Sequence, residues 1–145
     1  SSVSIPVLAV GSHVQYDSGD LALNRLEVAN DFQFNSANNL AVNQFNILSG
    51  HSDINSGSLA VNEQLQLANL ATLNINSGTL NSQGSVNNAG VINLNQGQLA
   101  LQNVTQSGVV NLANNAVLTL QGNNGFSNTA QILGQGDVHF NVPGD

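Results

Sequence analysis

The stretch INSGSLAVN at residues 54–62 decides the fold: an apolar Ile54, a polar corner holding Gly57, the alternating triplet Leu59-Ala60-Val61 and a closing amide, Asn62. Alternation with period two belongs to a strand with one buried face. Nine residues cannot bury that face alone. The same pattern returns as YDSGDLALN (16–24), FNSANNLAVN (34–43), INSGTLNSQ (75–83), LNQGQLALQ (94–102), LANNAVLTLQ (112–121) and ILGQGDVHFN (132–141). Between the anchors Tyr16, Phe34, Ile54, Ile75, Leu94, Leu112 and Ile132 the steps are 18, 20, 21, 19, 18 and 20 residues. A unit repeated at this spacing stacks on its neighbours to complete a core, which is the sequence signature of a solenoid.

Each unit divides into three short strands. Segments such as Phe32-Gln33-Phe34, Leu73-Asn74-Ile75 and Ile92-Asn93-Leu94 read apolar, amide, apolar up to the anchor, with Ser52-Asp53-Ile54 and Ala130-Gln131-Ile132 as weaker copies. Gly19, Gly57, Gly78 and Gly97 share one corner position, where positive φ favours Gly or Asn. The Leu-x-apolar triplet follows. A looser third segment runs through Leu26/Val28, Phe45/Ile47, Leu65/Leu67, Val86, Val104 and Phe126. The expected fold is an all-β, single-domain parallel β-helix of about seven coils of 18–21 residues over residues 14–142. Right-handed winding follows from the usual crossover preference. Residues 1–13 form an extended segment outside the repeat, a cap or a donor strand, with Val3, Ile5, Val7, Leu8 and Val10 as its assembly residues. Pro6 suits an edge there, and residues 143–145 are a tail.

Asn (25) and Gln (13) make up 38 of the 145 residues, and their placement explains the excess. An amide closes every triplet: Asn24, Asn43, Asn62, Gln83, Gln102, Gln121 and Asn141. Parallel strands about 4.8 Å apart bring identical amides within hydrogen-bonding reach, so these seven are expected to form an axial ladder. The rungs INSGSLAVN and LNQGQLALQN resemble those of filamentous-haemagglutinin-type adhesins and autotransporter passengers. Curlin-like fibre subunits offer a second resemblance, being short, exported, poor in charge and rich in Gly, Asn and Gln. Either resemblance implies a structural protein on or outside the cell surface.

Charge excludes several functions. Only Arg25 stands against eight carboxylates, for a net charge of −7. Phosphate backbones and anionic lipid surfaces both recruit Lys and Arg, so neither nucleic acid nor membrane insertion is expected. With no Cys, thiolate and disulfide chemistry is absent. A lyase or hydrolase on this fold would need clustered acids and cations. Asp17 and Asp20 flank a corner where Asp is an ordinary turn residue, and Asp53 has no cationic partner in the sequence. The chain is therefore read as non-enzymatic and without a cofactor. His13, Asp31 and His51 fall at one outward slot of three consecutive coils, a weak candidate for a metal row, since the outer two imidazoles lie two coil steps apart. Arg25 shares a slot with Gln44 and Glu63 and lies within reach of Glu27.

Few charges, near-identical coils, amide ladders and open ends suit head-to-tail stacking of copies. The expected partner is the chain itself, in a secreted or extracellular fibre of a biofilm matrix or an attachment layer facing a host or polysaccharide surface. Two alternatives are a shaft segment continued by the rest of a larger secreted adhesin and, less favoured, a β-helix enzyme acting on polysaccharide.

Overall fold

The computed structural model describes residues 1–6 and 12–141. Among these residues every regular element is a strand. In chain order they are β1 (Ser2–Ile5), β2 (His13–Tyr16), β3 (Leu21–Val28), β4 (Asp31–Phe34), β5 (Asn39–Ile54), β6 (Ser58–Ile75), β7 (Thr79–Ser82) and β8 (Ser85–Asn88). There follow β9 (Val91–Leu94), β10 (Gln98–Gln102), β11 (Val104–Gln106), β12 (Val109–Leu112), β13 (Val117–Gln121), β14 (Gly125–Phe126), β15 (Gln131–Gly134) and β16 (Asp137–Asn141). β3, β5 and β6 are long because they run through bends of the coil without breaking.

All pairing is parallel, and each strand pairs with its counterpart one coil away. The first face stacks β2, β4, the ends of β5 and β6, then β9, β12 and β15. The second face stacks the starts of β3, β5 and β6, then β7, β10, β13 and β16. β1, the later part of β3, the middles of β5 and β6, then β8, β11 and β14 make the third. Seven strand segments on each face define about seven turns of a single-domain parallel β-solenoid.

The core is the inside of this tube, and it is built of rows. Leu40, Leu59, Leu80, Leu99 and Leu118 stack along the second face, each at most 1% exposed. Phe34, Ile54, Ile75 and Leu94 do the same on the first. Tyr16 begins that row with its ring 5.7 Å from that of Phe34 and nearly parallel to it. A buried leucine or phenylalanine is worth about 1.5–3 kcal/mol relative to exposure, so these rows are the main favourable term holding the coils together.

Four details depart from the sequence reading. In the last coil Ile132 pairs with Val110 and Gly134 with Leu112, so Gly134 takes the anchor position and the final step is 22 residues rather than 20. This register puts Ile132 against the core and leaves the corner to Gly134, whose φ of 123° and contact with the Leu112 carbonyl leave no room for a Cβ. Next, Gln44 pairs with Gln64, not Glu63, because the strand is bulged between Val42 and Gln44. A second shift between Ile47 and Ser49 accommodates another added residue. The third concerns the N-terminus: β1 lies parallel to β3 in continuous register, Val3 beside Leu26 and Ile5 beside Val28. Ser2–Ile5 thus continues the third face, because its own alternation matches the row below it. Lastly, the third face turns two amides inward: Asn88 and Gln106 stand in the row of Ile47 and Leu67, and both are buried.

Candidate functional site

The outer wall carries axial rows of amides, and the row read from the sequence is one of three. Asn62 donates to Asn43 and Asn43 to Asn24, each at 3.0 Å, while Gln102 donates to Gln121 at 3.1 Å. The row is interrupted at Gln83, which is exposed and whose strand ends one residue earlier. Asn141 also lies beyond the bonded pair. At both Asn62 to Gln83 and Gln121 to Asn141 the residue type changes, and the extra methylene of Gln carries its amide out of line with that of Asn.

A longer row passes through the residue immediately after each anchor. Asn95 donates to Asn76, Asn76 to Asn55, Asn55 to Asn35 and Asn35 to the Asp17 carboxylate, at 2.7–2.9 Å. The middle residues of the first face form the third row: Asn111 to Asn93, Asn93 to Asn74 and Asn74 to Asp53, at 2.7–2.8 Å. Both rows were legible in the sequence, where Asn follows the anchor in four successive units and fills the middle slot in three. In both, every amide NH2 points toward the N-terminal end. A carboxylate only accepts, so Asp17 and Asp53 serve as the acceptors that start each row. This gives two of the acids considered above for catalysis a structural role.

Asp20 accepts from the Asn39 backbone at 3.0 Å and Asp31 from the His51 backbone at 3.0 Å. His13 and Asp31 are in register, as the sequence indicated, but His13 Nε2 bonds Gln15 Oε1 at 2.6 Å along its own strand. Among the described residues no three His, Cys, Asp or Glu side chains converge as a metal site would require. Arg25 pairs with Glu27 at 2.5 Å, both partly exposed, and at such a position the pair adds little stability.

The two ends of the tube differ from its wall. At the C-terminal end Phe126, Val138 and Phe140 occupy interior rows yet remain 45%, 36% and 56% exposed, because no further coil covers them among the described residues. At the N-terminal end a cavity of about 220 Å³ opens between β1, β2 and β3, lined by apolar side chains including Val3, Val14, Tyr16, Leu21 and Leu23. Val3 is 41% exposed while Ile5 is buried; Val7, Leu8 and Val10 lie outside the described residues. On all three faces the terminal strands offer one row of backbone donors and acceptors with no described strand beside it. Comparison with protein-family models, curated proteins and solved structures found no match.

Proposed function

We propose that this chain is a non-enzymatic structural β-solenoid acting outside the cell, whose copies associate end to end into fibres of a matrix or attachment layer. The observation that supports it is the pair of ends: strand edges with no partner among the described residues on three faces, with exposed Phe126 and Phe140 at one end and an apolar hollow at the other. The wall between them carries no Asp, Glu, Lys or Arg over residues 64–136 and is joined from coil to coil by its amides. The composition, nearly free of Lys and Arg, supports the same reading, since edge lysines are a common guard against strand addition.

Electron microscopy of the purified chain, incubated at increasing concentration, tests this directly. The expected outcome is long unbranched filaments with an axial repeat near 4.8 Å. A chain that stays monomeric at every concentration at high as well as low salt overturns the proposal.

The second reading is a shaft segment of a longer secreted adhesin. It draws on the same ends, because open edges also accept further coils of one polypeptide, and on the resemblance of the rungs to filamentous-haemagglutinin-type repeats. Finding these residues inside a longer secreted chain with similar coils on both sides favours it.

A further inference from the structure

Resting on the fibre reading, we propose the register in which two copies meet and a charge gate that controls the joint. The faces of β14, β15 and β16 meet β1, β2 and the start of β3 of the next copy, displaced by one coil step as neighbouring strands are within the chain. Continuing the observed rows places Phe140 against Leu23, Val138 against Leu21, Ile132 against Val14 and Phe126 against Ile5. Bulk and space alternate in this arrangement. The exposed rings of Phe126 and Phe140 meet the side with the 220 Å³ hollow, and the Tyr16 ring falls over Gly134, which has no side chain.

One contact opposes the joint. Asn39, Ser58, Thr79, Gln98, Val117 and Asp137 form a single row, and Asp20 precedes it, holding the Asn39 backbone. The next step of that row sets Asp137 opposite Asp20 at about 4.8 Å. Among the described residues, the other charged or titratable side chains at the joint are matched or displaced. His13 faces Gln131, Asp17 faces the donor Gln135, and His139 faces Ala22. Arg25 and Glu27 lie one coil deeper, paired to each other beside Ser2 and Ser4. Directly opposed like charges weaken a strand pair and are screened by salt, so the Asp20–Asp137 pair holds copies apart at low ionic strength and releases them as salt rises.

The test measures filament yield by sedimentation and electron microscopy at low and high salt, with the β-sheet circular dichroism of each variant confirming that it folds. Asp137→Asn at low salt is expected to raise yield about fivefold, the effect of removing one opposed pair. Glu63→Gln makes the same change in net charge on the side wall and is expected to leave yield unchanged. Asp137→Lys is expected to exceed Asp137→Asn, and combining it with Asp20→Lys to return yield to the wild-type level. If filaments form but Asp137→Asn behaves like Glu63→Gln, or the double lysine variant does not revert, the proposed joint is wrong while the fibre reading stands. If neither wild type nor any variant forms filaments at high salt, both fail.

Discussion

Asn74 and Asp53 are one bond apart in a directional row, and exchanging their chemistry has unequal costs. Asp53→Asn keeps an acceptor for the Asn74 amide, so it is expected to change stability by less than about 0.5 kcal/mol. Asn74→Asp removes the donor and sets two carboxylates side by side in a part-buried row, for an expected loss of about 1–3 kcal/mol. Urea midpoints of the two variants check the asymmetry; equal losses would show that row direction is irrelevant. Backbone geometry is as strict at Gly78. Its φ is 138°, and a Cβ there would overlap the Gly57 carbonyl oxygen of the preceding coil. Gly78→Ala is expected to cost about 2 kcal/mol or more, read from the same denaturation curves.

At the scale of the element, the first and second faces were readable because each places two apolar residues around a single outward one. The third face was read through Leu26/Val28, Phe45/Ile47, Leu65/Leu67, Val86 and Val104, but its second inward slot in the later coils was not, and β8 and β11 show why. Each offers one apolar residue, Val86 or Val104, followed by an amide where the pattern asks for a hydrophobe. Asn88 and Gln106 are tolerated inside because they bond each other at 3.2 Å and Asn88 also accepts from the Gly90 backbone. That compensation is incomplete, since Gln106 Nε2 has no partner. β7 has a simpler defect. Ser82 is fully buried beside Val61, and its hydroxyl is also unpartnered. Ser82→Val restores the apolar row and removes the unmet hydroxyl, for an expected gain of about 1–2 kcal/mol, visible as a higher melting temperature. A fall in melting temperature would mean that the site lacks room for the added methyl.

Across the whole molecule, contacts run almost entirely between adjacent coils, so stability is set by how many neighbours a coil has. β5 and β6 are covered on both sides and hold many fully buried side chains. By contrast, every residue of β16 is exposed and β15 is only partly covered. Amide hydrogen exchange is therefore expected to be slowest in β5 and β6 and fastest in β14 to β16. Assembly of the kind proposed flattens this gradient, because β16 gains a neighbour. Filaments whose β16 amides exchange as quickly as those of the monomer would argue against end-to-end joining.

The coil period, the inward alternation of two faces, the corner glycines and the wall of amides were all determined by the order of residues. Each depends on spacing along the chain and on a local preference of φ or of burial. Register in the last coil, the bulge that displaces Glu63, the place of Ser2–Ile5 on the third face and the inward turn of Asn88 and Gln106 were decided only by the folded tube. In each case two local placements were open, and the neighbouring coil selected one by the row it presented. The direction of the two rows headed by Asp17 and Asp53 belongs to the same class: a sequence of Asn residues has no polarity, and these rows acquire one where an Asp in an adjacent coil accepts the first bond.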